Sequence, residues 1–390
     1  TATKYQRAGG VGNYIQMGKP IQNAFVESFN GRIPFMIMLI ALLIGAVRMS
    51  VRAQSDQDSA TGALTTKNGH GGVYYLPAVF MQQPHWKPVA GPGKQIPVDT
   101  ITKFFDTAVC GKDLFGGTNE GLYWLDPVQR KWNKVTEDDF PTDLIVAGVT
   151  FRDDKCDTIF AVARGEGLWK GQKGNQDMWK WDRVDDAKGI DDDARYVLVA
   201  GDNIFLAGDF GVRWAAIPND QAPYVWQATN LTTLVTSVSD NNGLLLAAAW
   251  NQGVYEWRPQ TKIWELQGDL PDKLVYYAAA IDKSYIAGTQ SGLFLTDTGT
   301  GWQLVKAVPQ ETTYAALAYE GTYFIGQRSE LVRKSANEGK TWENLPPFPK
   351  PLRPDGDQGD QVRGFDIGLT DGQLYAATTS GVWRLVDEIP

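Results

Sequence analysis

"AAAWNQGVYEWRPQTKIWELQ", residues 247–267, reads as an apolar strand, a polar pair, Gly253, a second apolar strand, a turn and then Trp264. The same order returns in "FGGTNEGLYWLDPVQRKWNKV" (115–135), in "IAGTQSGLFLTDTGTGWQLV" (286–305) and, with local changes, in four further stretches, the last being "AATTSGVWRLVD" (376–387). The glycine supplies the backbone freedom of a tight turn, and the Trp offers a large apolar plate for packing. The residues that follow the turn glycine are Val73, Leu122, Leu168, Val212, Val254, Leu293, Leu331 and Val382, with a mean spacing of about 44 residues. A period of roughly 40 to 50 residues with four short strands per unit is the signature of a β-propeller.

The Trp after each turn gives a blade count. Trp86, Trp132, Trp181, Trp226, Trp264, Trp302 and Trp342 fit the pattern, but none follows Val382. The outer strand missing there is expected from "QPHWKPV" (83–89), which would close a ring of seven blades and remove its open edge. Eight blades is the alternative. Composition agrees with an all-β chain of short strands: aromatics make up 12% of the residues, 41 are Gly, and none of the 14 Trp precedes Trp86. Most of the Trp and Tyr are therefore expected in the core rather than in a sugar-stacking platform.

"SANEGKTW" (335–342) resembles the Asp-box S-x-D-x-G-x-T-W of sialidase-like and sortilin-like propellers, with Asn337 in the Asp place. "LTDTGTGW" (295–302) keeps Asp297, Gly299 and Trp302 at the same offsets. "GTNEGLYWLDPVQRKW" (117–132) is similar to the periplasmic sensor propellers of two-component regulators. These likenesses cover most of residues 72–390 as fold and only short hairpins as motif. In those families the Asp-box is a folding device at the blade rim, so it implies no active site here.

The chain before the repeat is of other kinds. "YIQMGKPIQNAFVESFNGR" (14–32) resembles the end of the catalytic core of integrase-type insertion-sequence transposases, and Glu27 stands where that family has its third metal-binding carboxylate. Two-metal phosphoryl chemistry needs all three carboxylates. Residues 1–32 are thus expected to be a remnant without function. Ile33–Val47 is an uncharged run between Arg32 and Arg48, about 22 Å long as a helix and so short of a ~30 Å hydrocarbon core. Residues 33–53 are read as a signal peptide cleaved after Ala53, with a retained N-terminal anchor as the alternative. Residues 54–71 read as a polar linker and residues 72–390 as the propeller.

Net charge is −8, and six basic residues against Glu27 before residue 54 leave the remainder at −13. An acidic body argues against nucleic acid as a partner, because phosphate neutralisation needs a basic surface. With only His70 and His85, most His-based catalysis and most zinc sites are excluded. Cys110 and Cys156 each lie eleven residues before a turn glycine, at equivalent places in neighbouring blades. Two buried thiols are the expectation. A disulfide between them is the alternative, which needs Cα atoms within about 7 Å and hence a place close to the axis.

The turns that ring one face carry Asn119, Glu120, Glu166, Asp209, Trp250, Gln290, Arg328 and Ser380, and loops on a rigid scaffold are where binding resides. Glu120, Glu166 and Asp209 are expected to form an acidic arc there. In "PDGDQGDQ", Asp355, Asp357 and Asp360 would offer oxygen ligands to calcium, the one cofactor the sequence suggests, although no downstream bidentate Glu completes a known loop. No motif places the three arginines, Tyr–Glu pair and acid Asp of a sialidase.

Two readings follow. The first is an exported, non-enzymatic binding or assembly module for a protein or glycan, in the periplasm or at the surface of a bacterial-type envelope. It would meet a membrane only through an uncleaved N-terminal segment or a membrane-bound partner. The second is a carbohydrate-active hydrolase or lyase, which should show a carboxylate pair of shifted pKa in a closed axial pocket.

Overall fold

The computed structural model describes residues 65–67, 73–75, 84–90 and 103–386, apart from 137–139, 175–177, 185–193, 219–221, 298–300, 330–331, 350–361 and 380. The chain forms two compact units, Thr1–Val79 and Phe80–Pro390. Within the first, Thr65–Lys67 pairs antiparallel with Val73–Tyr75. Val73, counted above in the repeat, therefore belongs to this hairpin, and so does part of the expected linker. The transposase-like stretch, the apolar run, Leu331, Ser380 and the carboxylates Asp355, Asp357 and Asp360 lie outside the described residues.

The second unit is an all-β propeller of seven four-stranded antiparallel sheets, with no helix among the described residues. The innermost strands of blades 1 to 7 are Phe104–Cys110, Val146–Phe151, Ala194–Ala200, Val235–Asn241, Val275–Ile281, Thr313–Tyr319 and Val362–Ile367. Three further strands follow outward in each blade. Blade 4, for example, continues with Leu244–Ala249, Gly253–Arg258 and Ile263–Leu266. Blade 7 is completed from the other end of the unit: its fourth strand is His85–Pro88, paired with Gly381–Val386. Seven blades closed by an N-terminal strand is thus the architecture. Trp86, 2% exposed, donates its indole N–H to the Pro346 carbonyl at 3.0 Å, which fixes the closing strand against blade 6.

Among the described residues, a buried cluster holds each blade interface, seven in all. Between blades 3 and 4, Phe205 lies 5.6 Å from Trp257 and 6.3 Å from Trp264, centroid to centroid. Turn glycines are where close approach requires them. At Gly211, with φ +90°, a Cβ would stand 1.9 Å from the Leu231 carbonyl oxygen. The hairpin at 335–342 closes through its own side chains: Ser335 Oγ accepts the Gly339 N–H at 2.9 Å, and Asn337 Oδ1 accepts the Thr341 N–H at 2.9 Å.

Register fixes the two ends of the ring. Each inner strand begins beside the turn between its blade's second and third strands, and ends at the turn between the first and second. In every blade the pairing slips at the second residue of the inner strand. Such a bulge re-aims the side chain it carries. Inner-strand edges also leave backbone groups facing the axis, and side chains of the preceding blade satisfy several of them. Ser239 Oγ donates to the Ala278 carbonyl at 2.7 Å, while Asp366 Oδ2 accepts the Val109 N–H at 2.8 Å.

Cys110 and Cys156 are joined in a disulfide, with Cα atoms 5.4 Å apart, rather than left as two thiols. Cys110 ends the inner strand of blade 1, and Cys156, at φ +59°, sits in the first turn of blade 2. Both are near the axis, where adjacent blades approach closely enough to be bridged.

Candidate functional site

Two features lie along the axis, one at each end. At the end where inner strands begin, bulged residues of successive blades meet. The ring of Tyr276 in blade 5 is 5.3 Å from that of Tyr314 in blade 6, edge to face, and the Arg363 guanidinium of blade 7 stands 4.6 Å from the Tyr314 centroid. Trp250, from the second turn of blade 4, extends the row, 5.2 Å from Tyr276. All four are half-buried. Burial holds the Arg363 guanidinium below its ordinary pKa, against the pull of Tyr314 and Tyr276. The result is a continuous aromatic and cationic arc across four blades, with side chains suited to stacking and to bidentate hydrogen bonds.

At the other end is a cavity of about 620 Å³, lined by the later residues of the inner strands and by first turns such as Asn242 and Thr370. Asp106 and Asp366 line it, as do Tyr196 and Tyr277, whose hydroxyls are 2.8 Å apart and bridge blades 3 and 5 past blade 4. Burial pushes the Asp106 carboxyl up to about 7, against hydrogen bonds from the Val149 and Thr107 N–H groups. Asp366 is raised well above the carboxylate range by burial and by Asp106. Both carboxylates nonetheless have structural work, since each accepts a backbone N–H of the next blade.

The sequence-derived face residues divide. Trp250 joins the arc. Gln290 and Arg328 are exposed turn residues whose N–H groups bond the Leu274 and Thr312 carbonyls. Asn119 caps Lys103, its Oδ1 accepting that N–H at 2.5 Å, and the Glu120 N–H bonds Thr118 Oγ1 at 3.0 Å. The expected acidic arc is largely neutralised, because Glu166 pairs with Arg183 at 3.4 Å and Asp209 with Arg195 at 2.9 Å. Sequence reasoning missed Tyr276, Tyr314 and Arg363. Their shared signal is the second place of the inner strand, also held by Phe105, Arg195 and Thr236. Among the described residues no cluster of three or more His, Cys, Asp or Glu could hold a metal ion.

These features define a seven-bladed β-propeller with an aromatic–arginine arc at one mouth and an acidic cavity at the other. No protein-family model matches the chain, and no curated protein matches its sequence. Solved structures show the fold. The chain is similar to the extracellular domain of a one-component system of B. thetaiotaomicron, at a TM-score of 0.57 and 10% identity, over 78% of this chain and 40% of that one. It is similar to YCF48 bound to D1 peptide, with a TM-score of 0.57, 12% identity, and 80% and 100% covered. It is also similar to PorZ, a surface component of the type-IX secretion system of Porphyromonas gingivalis, with a TM-score of 0.52, 14% identity, and 78% and 39% covered. The chain thus spans about two fifths of the length of the first and third.

Proposed function

We propose that the chain is an exported, non-enzymatic binding or assembly module that takes a protein partner on the arc of Trp250, Tyr276, Tyr314 and Arg363. The observation that carries this reading is the contiguity of that arc. Four residues of four blades touch in sequence at one mouth, and aromatic and Arg side chains are the types that dominate protein-binding hot spots. A peptide-bound propeller and a secretion-system surface component among its structural neighbours support a protein partner. The Cys110–Cys156 disulfide supports an oxidising compartment, as does the expected signal peptide, with periplasm or cell surface as the destination. No cofactor is required.

Partner recovery from the native envelope by the parent chain, by Tyr314→Ala and by Arg363→Gln tests the reading. Each substitution should cut recovery at least about tenfold with little change in melting temperature, as expected of hot-spot truncations. Undiminished recovery by both variants contradicts it.

The raised carboxyls of Asp106 and Asp366 favour a second reading, a hydrolase working at the axial cavity. Loss of a partner's or glycan's integrity on incubation with the parent, but not with Asp106→Asn, would support that reading over the first.

A further inference from the structure

Asp106 and Asp366 sit on the inner strands of adjoining blades, 1 and 7, and both line the cavity on the axis. A Cβ added to Gly364 would stand 3.4 Å from Asp106 Oδ1, so that carboxyl lies against the strand that carries Asp366. Buried charges in proteins are normally paired. Here each acid accepts backbone N–H groups, and among the described residues no Lys or Arg forms an ion pair with either. Of the described residues that line the cavity, four are Asp and one is Arg. That cation, Arg152, is turned to Asp153 of the first turn of blade 2, with Nε 3.8 Å from the carboxylate.

A second, independent observation lies beside the pair. Thr107 lines the same wall and is 3% exposed, and its hydroxyl has no hydrogen-bond partner among the described residues. An unpaired buried hydroxyl is costly and calls for an account. Leu198, Leu317 and Ile367, half-buried on blades 3, 6 and 7, supply apolar wall around the same space.

We propose that the axial cavity is a binding site for a small organic cation, a primary ammonium group on an aliphatic stem. An ammonium is a compact point charge with three N–H donors. Asp106, Asp366 and Thr107 offer it three acceptors in one patch of wall. Each Asp106 oxygen already takes one backbone N–H, which leaves it lone pairs for a further donor. Burial disfavours two carboxylates there, and a bound cation offsets that cost. The apolar wall takes the stem, and a volume of about 620 Å³ is within the range of small-molecule sites. The site lies at the opposite mouth from the arc and uses none of its residues.

Calorimetric titration of hexylamine into the full chain at pH 8, where the amine is still protonated, tests this, with hexanol as the neutral analogue of the same stem. The parent is expected to bind the amine at least about tenfold more tightly than the alcohol, as for charge-assisted contacts. An Asp106→Asn/Asp366→Asn double variant keeps oxygens for the Val149 and Val109 N–H groups and so keeps the blade staples. It should bind hexylamine and hexanol alike. Thr107→Val changes neither acid and nearly keeps the side-chain shape; it should weaken hexylamine binding about threefold or more. Melting temperatures taken alongside show that each variant is folded. A parent that binds hexylamine no better than hexanol, or hexylamine binding that is equal in the parent and both variants, overturns the proposal.

Discussion

The carboxylate of Asp106 in blade 1 accepts the backbone N–H of Val149 in blade 2 at 3.1 Å, so an acid on the axis serves as a staple between blades. That contact gives a buried, 7% exposed carboxyl a reason to exist without chemistry. Its burial, opposed by that hydrogen bond, gives it a pH signature. A carboxyl pushed by burial from 3.8 to about 7 binds its proton more tightly in the folded chain than in the unfolded one. The stability this contributes is complete below about pH 4 and is lost as pH rises through about 7, to the extent of roughly 4 kcal/mol.

Asp106→Asn keeps an oxygen for the Val149 N–H and carries no charge. Urea unfolding at pH 4.5, 6 and 8 should show the variant gaining on the parent as pH rises and exceeding it at pH 8. A difference between the two that does not change with pH would remove the buried-acid explanation.

The disulfide closes a loop of 46 residues across the first two blades. Chain-entropy reasoning gives such a loop about 4 kcal/mol, and measured losses run to roughly 2 to 5 kcal/mol. Cys110→Ser/Cys156→Ser should therefore melt well below the parent, and reductant should lower the parent's melting temperature but not the variant's. Equal melting temperatures under both conditions would show that the blade interface is already fixed by the packing of Phe115, Phe151 and Trp181.

Trp264 and Trp302 occupy like places in blades 4 and 5 but are held differently. Trp302 Nε1 donates to the Gln267 carbonyl at 2.6 Å, whereas Trp264 Nε1 is buried without a partner. Truncation of either to Ala should cost about 3 to 5 kcal/mol. Trp→Phe separates them: Trp302→Phe should cost about 1 to 3 kcal/mol more than Trp264→Phe, because it leaves a buried carbonyl unsatisfied. Equilibrium unfolding measures both, and equal costs would count against the assigned hydrogen bond.

The ring was legible in the sequence because glycine and Trp recur where every blade has the same physical need. Gly253 and Gly292 adopt φ of +119° and +140°, which other residues rarely do, and Trp264 fills the same inter-blade space that Trp132 fills three blades earlier. Trp86 even marked the strand that closes blade 7. The arc was hidden because its common feature is a backbone slip, not a residue type: Arg195, Thr236 and Tyr276 share one place and nothing in composition. The acidic arc failed for a related reason. Glu166 and Asp209 meet arginines from other strands, and sequence spacing along the turns carries no record of those partners. Cys156 shows the same limit, since equivalent spacing could not say how near the axis its turn lies.

The two mouths of the ring are sampled by one strand. Tyr314 and Tyr319 lie near opposite ends of Thr313–Tyr319, roughly 17 Å apart at the rise of a strand; Tyr314 belongs to the arc and Tyr319 lines the axial cavity. Placing a photo-crosslinking phenylalanine analogue at each position in turn, and irradiating the chain in its native envelope, tests the central claim most directly. A protease-sensitive adduct from position 314 and none from position 319 is the result predicted for a protein partner on the arc. An adduct from position 319 alone, or a protease-resistant glycan adduct at either place, would contradict it.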